Sequence, residues 1–465
     1  MSPTDKPFAS RTIDRRRLLA TGSAAVAAAA IGGKGLVAAQ DATPAVMTDM
    51  AMGAATSLIF YLGDGMGQAH RDAGQLSFVG AYQTQAMDSL PAVGMIGTNS
   101  VTPDELITDS AAAATSYATG VKTLNGAIGQ DAAGNNVANL FELAKAAGKS
   151  VGVVTTSQVT DASPAAFFAH VADRGEQSEI ARQAIEDAGV DVILGGGEDR
   201  WLPEGTPGAY PDNPPEDDEE QSSSDKGDLI ARAQELGYEY VSDAAGLTAA
   251  AGAKLLGLFA NEEMFQQRPE GEGDIYEPVV SLQEMTAKAI EILSQNPNGF
   301  VLFVEEEAID EMSHANNGAL MIKGVGELDK AVQTGLDYLA TAPNTLLLIT
   351  ADHECGGLTI EGPDDPDFPD ESGDDSTTSG EDGPYPVANS GYSFILDWTT
   401  SGHTGVRVPI TATGPASETL VGYYENTDLF VKLVAALGLA LPEGIPAEIV
   451  PGSLPGGTPV ASPVA

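Results

Sequence analysis

The chain is poor in the residues that staple small exported proteins and in those that bind polyanions. Among 465 residues there is a single cysteine, Cys355, which excludes an intrachain disulfide. A lone cysteine of this kind reads as a small buried residue. Lys and Arg number 22 against 67 Asp and Glu, a formal net charge of -45. That balance excludes nucleic acid and an anionic membrane surface as partners. It also means that an anionic substrate needs local cations or metals at its site. Aromatic residues are sparse, at 6%. No apolar run reaches the ~20 residues that span a bilayer. The chain shows no internal repeat and only five histidines.

What is present suffices for a large core, since 42% of the residues are hydrophobic. The first segment, "RTIDRRRLLATGSAAVAAAAIGG", has a basic cluster at Arg15 to Arg17, then a mildly apolar Ala-rich run broken by Thr21, Gly22 and Ser23. With small residues at Val37 to Gln40, residues 1–39 read as a twin-arginine-type export signal rather than a retained anchor. Its removal takes away six Lys/Arg and two Asp/Glu and leaves a charge of -49. The expected location is periplasmic or extracellular, with no stable membrane insertion of the mature chain.

Residues 40–445 read as one catalytic domain. Apolar, β-branched runs at 57–65, 150–156, 190–197, 299–307 and 344–354 look like strands buried on both faces. Helical stretches alternate with them, at 136–147, 176–188, 281–295 and 324–340. The alternation predicts an α/β fold, a three-layer sandwich around a large, mostly parallel central sheet with helices on both faces. In such sheets chemistry lies beyond the carboxyl ends of the strands. Three runs end in acids there: Asp64, Glu305 and Asp352. Two acidic, Pro- and Ser-rich stretches, 210–228 and 361–386, read as solvated surface insertions, with surface Ca2+ binding as the functional alternative. The tail 446–465 reads as flexible.

Three histidines sit among acids at metal-ligand spacing. Asp310 and His314 in "IDEMSH" are i and i+4, on one face of a helix. Asp352 and His353 in "TADHE" lie together at a strand end. His403 in "SGHTG" stands between glycines on a loop. His70 and His170 have no such setting and read as ordinary polar residues. Paired metals can clamp the entering and leaving oxygens of a phosphoryl group. Arg174 in "AHVADR" is the candidate for the non-bridging oxygens, because its planar fork binds two at once. Ser110, in "ELITDSAAAATSYATG", taken alone reads as the N-cap of an Ala-rich helix that Gly120 stops.

Together "YLGDGMG", "TDSAAAATSYATGVKTLNGAIG", "DASPAAFFAHVADR", "VILGGG", "VEEEAIDEMSH", "TADHE" and "GHTGVRVPITATGP" occur in an order that resembles the alkaline phosphatase family, over roughly 57–435. The resemblance implies a metal-dependent phosphomonoesterase with two Zn2+ and one Mg2+ per chain, and leaves a homodimer open. It implies that Ser110 is the nucleophile, at the helix start that it also caps. Asp109 would orient Arg174, and Arg174 would hold phosphate. It implies one zinc on Asp310, His314 and His403 and a second on Asp64, Asp352 and His353. The magnesium would lie on Asp64, Asp161, Ser163 and Glu305. The chain departs from the family in placing Glu306 and Glu307 after Glu305, where small residues are frequent, and Glu311 after Asp310. A carboxylate at 311 repels phosphate unless it binds a cation or points away. Ser163, where Thr is common, keeps the hydroxyl. A diesterase or sulfatase of the same superfamily, and a non-catalytic acidic scaffold, are the competing readings.

Overall fold

A computed structural model describes residues 53–210, 222–265, 275–363 and 382–445. The segment 1–39, read as an export signal, and the tail lie outside these residues, as do the middles of both acidic insertions. The described flank of the first insertion departs from its reading as solvated, whereas the flanks of the second are mostly exposed. Ser222 and Ser224 are buried, and Asp228 caps the helix Leu229–Glu235.

The strands in chain order are β1 (Ser57–Gly63), β2 (Ala92–Gly97), β3 (Ser150–Gln158), β4 (Val192–Gly196), β5 (Glu239–Val241), β6 (Leu255–Leu258), β7 (Phe300–Glu306), β8 (Thr345–Thr350), β9 (Glu354–Cys355), β10 (Thr359–Glu361), β11 (Asp382–Pro386), β12 (Ser393–Asp397), β13 (His403–Thr404), β14 (Val408–Thr413) and β15 (Gly422–Glu425). Ten of them form one sheet in the order β15-β2-β14-β8-β1-β7-β3-β4-β6-β5. All neighbours in it are parallel except where β14 runs against β2 and β8. The fold is the expected α/β sandwich around a mostly parallel sheet.

β1 shows why both faces are covered. Every residue from Ser57 to Gly63 is buried, and successive side chains point to opposite faces. Phe60 packs edge-on against Tyr117 of the helix Ser110–Thr119 and against Phe167. Its neighbour Tyr61 points the other way and donates its hydroxyl to Ala331 O of the helix Gly318–Leu339, at 2.8 Å. A strand sandwiched in this way has no polar face, which is why it reads as a continuous apolar run.

Local caps shift the helix ends from the sequence expectation. The helix expected from 136 starts at Leu140, because Asn139 and Glu142 form a reciprocal capping box. The helix expected from 324 starts at Gly318, where Asn317 accepts a hydrogen bond from Leu320 N. The run 344–354 leaves the sheet after Thr350, which frees Asp352 and His353 from the ladder. His403 is not on an open loop. It pairs with Cys355 in the short β9–β13 ladder.

Candidate active site

The four central strands β8, β1, β7 and β3 deliver their carboxyl ends to one place. Asp64 follows β1, Glu305 lies near the end of β7, Asp352 and His353 follow β8, and Asp161 and Ser163 follow β3. The helix Ser110–Thr119 is fastened over this edge, since Tyr117 donates its hydroxyl to Ala351 O at 2.8 Å.

Ser110 is not the cap of that helix, as its neighbourhood suggested. Asp109 is the N-cap: one carboxylate oxygen accepts from Ala112 N at 2.9 Å, the other from Gly126 N at 2.8 Å. Ser110 is the first helical residue, so its hydroxyl has no capping duty and sits at the positive end of the helix dipole. Its Oγ lies 3.3 Å from His353 Nε2. Gly120 ends the helix in the left-handed conformation, as expected.

Two donor groups flank that hydroxyl. In the first, His314 Nε2 lies 3.1 Å from Asp310 Oδ2 and 3.1 Å from His403 Nε2, and His403 Nε2 lies 3.7 Å from Asp310 Oδ2. A tetrahedral ion with N and O bonds of about 2.0–2.1 Å has donors roughly 3.3 Å apart, so the spacing fits zinc. Nδ1 of His314 lies 2.6 Å from Ser401 O, and Nδ1 of His403 lies 2.9 Å from Thr108 O. Donation to those carbonyls turns each Nε2 lone pair toward the group. In the second group, His353 Nε2 lies 2.9 Å from Asp352 Oδ2 and 3.6 Å from Asp64 Oδ1. Asp310 also reaches it, with Oδ1 at 3.7 Å from His353 Nδ1, so one carboxylate spans both groups.

The polar accounting at these groups does not close without cations. Asp64 Oδ1, Asp310 Oδ1 and His353 Nδ1 are buried and have no hydrogen-bond partner. Buried carboxylate oxygens left this way cost several kcal/mol, of order 1–3 or more each. Burial, then repulsion from Asp352 and Asp310, pushes the Asp64 carboxyl up. Burial pushes Glu305 up to about 8. Metal ions remove both penalties, and the mixed N/O donors suit them.

A third group contains only oxygen. Ser163 Oγ donates to Asp64 Oδ2 at 3.2 Å, and Thr155 Oγ1 donates to Glu305 Oε2 at 2.6 Å. Asp161 of this set holds Arg174 instead, at 2.8 Å from Nη2. Asp109, the expected orienting residue, is the more distant partner at 3.8 Å. Arg174 keeps a third of its side chain exposed while Asp161 raises its pKa further.

The unusual acids divide. Glu306 faces the core, where it accepts from Tyr276 OH at 2.6 Å and Thr156 Oγ1 at 2.9 Å, and burial pushes it up to about 8. Glu307 is buried with Oε2 unpartnered, and burial together with the nearby Glu311 holds its pKa well up. His70 and His170 stay outside the donor groups. His70 accepts from Gly67 N and meets Ser313 Oγ, each at 3.1 Å. His170 lies 3.2 Å from Glu142 Oε1.

Two site residues escaped the sequence reading. Gly65 has φ +66, and a Cβ there would lie 2.3 Å from Asp310 Oδ1, so only glycine lets the backbone pass. Cys355, read as mere core, places its sulfur among Asp310, His314 and His403, with one donor atom of each within 4.8 Å of the others. Its place two residues after His353 was the available signal.

Comparison with known proteins agrees with this geometry. The family model described as alkaline phosphatase matches residues 55–378. The alkaline phosphatase of Escherichia coli K12 is 34% identical over 445 residues, covering 86% of this chain and 89% of that protein. Streptomycin-6-phosphate phosphatase of Streptomyces griseus is 33% identical over 440 residues, covering 83% and 91%. The solved alkaline phosphatase of the Antarctic bacterium TAB5 superposes with a TM-score of 0.66 at 28% identity, covering 82% of this chain and 98% of that one. The chain belongs to the alkaline phosphatase family and is a metal-dependent phosphomonoesterase.

Proposed function

We propose that this is an exported alkaline phosphatase that cleaves phosphate monoesters through a phosphoserine at Ser110. The observation that carries the reading is the Ser110 hydroxyl, 3.3 Å from His353 Nε2 at a helix N-terminus and flanked by buried, unpartnered ligand atoms. Ser110 Oγ attacks phosphorus, the P–O bond to the alcohol breaks, and the phosphoryl group rests on the serine. Water then cleaves the Oγ–P bond and inorganic phosphate leaves. Arg174 presents its planar fork to two non-bridging oxygens, and Asp161 keeps it charged and aimed. Asp109 fixes the helix start that positions Ser110.

Asp310, His314 and His403 would hold one Zn2+, Asp64, Asp352 and His353 a second, and Asp64, Ser163 and Glu305, with Asp161 beside them, one Mg2+. Bound there, the metals supply Lewis-acid stabilisation of the entering and leaving oxygens. Residues 1–39 act as the export signal, and the mature chain works in the periplasm or outside the cell.

The test is hydrolysis of an aryl phosphate monoester beside the matching diester, with zinc and magnesium at mildly alkaline pH. Fast, chelator-sensitive monoester turnover with slow diester turnover is expected. Preferred diester turnover moves the function to the diesterase alternative, because an arginine clamp needs two free oxygens.

A further inference from the structure

We propose that Cys355 is a metal ligand, its Sγ adding a soft fourth donor to the Asp310, His314 and His403 group. The inference rests on the metal-centre reading above. Three observations bring the sulfur there. The β9–β13 ladder pairs Cys355 directly with His403. Cys355 N donates to Gly65 O at 3.0 Å, on the glycine whose missing Cβ lets Asp310 approach. One donor atom from each of the four residues then lies within 4.8 Å of the others.

Two of the four donor residues are buried and two are half-buried. Cys355 and Asp310 are buried, and Asp310 Oδ1 has no hydrogen-bond partner. Two imidazoles, one carboxylate and one thiol form a tetrahedral set that zinc accepts, with sulfur about 2.3 Å from the ion. Binding takes the thiol proton into solvent, as metal–cysteine bonds do. The fourth, softer donor shifts selectivity: thiolate favours zinc, cobalt and cadmium, whereas magnesium and manganese prefer oxygen.

The experiment is cobalt(II) loading of the full-length metal-depleted protein, read by absorption. Cys355 is the only cysteine in the chain, so any thiolate-to-cobalt charge-transfer band has one source. The expected result is that band alongside the cobalt d–d bands, with its complete loss in Cys355→Ser. Zinc-edge X-ray absorption of the unaltered protein, which averages over both zinc ions, should show one sulfur neighbour per chain shared between the two, and this needs no variant to fold. Cd2+ affinity should fall at least about tenfold in Cys355→Ser, the scale on which metal-site substitutions act. Cobalt d–d bands without a charge-transfer band, or a zinc shell of nitrogen and oxygen only, overturn the inference while leaving the metal centre intact. Absence of cobalt uptake overturns both.

Discussion

Ser110 and Gly65 show how single residues decide this site. Because Asp109 takes the capping duty, the adjacent hydroxyl has none at the same helix terminus and lies 3.3 Å from His353 Nε2. A sequence window cannot separate the two roles, since Asp and Ser are both good caps and stand side by side. Gly65 is silent in the same way. Its φ of +66, and the 2.3 Å that would separate an added Cβ from Asp310 Oδ1, follow only once β1 and the helix Ala308–His314 are packed together. Gly65→Ala should therefore displace Asp310, the one carboxylate shared by both donor groups. The expected outcome is loss of tightly bound zinc by elemental analysis, with the fold retained by circular dichroism. Full zinc content in a folded Gly65→Ala protein would show that Asp310 has room to move.

At the scale of elements, the legible part of the sequence was the central one. β1, β3, β4, β7 and β8 are buried on both faces and read as apolar runs. The edge strands β15 and β5, and β2 beside β15, alternate or are short, and glycine interrupts the pattern in two of them, so periodicity does not reveal them. The candidate ligands at strand ends and on the helical i, i+4 pair are visible in the sequence because strand ends and helix faces have fixed geometry. Cys355 and the role of Asp161 on Arg174 were not, since both depend on contacts between distant segments.

The helix Leu140–Ala146 illustrates a titrating contact between elements. Its Glu142 meets His170 Nε2 at 3.2 Å, and His170 Nδ1 meets Gly129 O at 2.8 Å. Burial alone lowers the His170 pKa, but these two hydrogen bonds overcome it and hold the folded value above the ordinary one. A group with a raised folded pKa stabilises fully below its unfolded value, about 6.5, and the contribution disappears as pH rises through the folded pKa. His170→Gln should thus lower Tm more at about pH 5.5 than at about pH 8.5. An equal loss at both values would mean that His170 acts only by packing.

For the whole molecule, the governing fact is a net charge of -45 concentrated further by buried acids at the strand ends. Asp64, Glu305 and Glu307 all have pKa values raised by burial, so the metal-free fold carries an electrostatic penalty. Metals that bind the folded state alone stabilise it by roughly 3–4 kcal/mol at a hundredfold to thousandfold excess over Kd. Chelation should therefore lower Tm as well as abolish turnover, and readdition of zinc and magnesium should restore both. Calorimetry of loaded and chelated protein measures the first effect directly. An unchanged Tm would mean that the buried acids are accommodated by the protein alone.

The central claim is that Ser110 carries the phosphoryl group. Its most direct test is acid quenching of the metal-loaded protein during turnover of a phosphate monoester, followed by peptide mass spectrometry. The predicted result is one added phosphoryl group on the peptide containing Ser110, absent in Ser110→Ala and in the chelated protein. Rapid turnover with no label on Ser110 under any quench condition, or with label on another residue, would contradict the account.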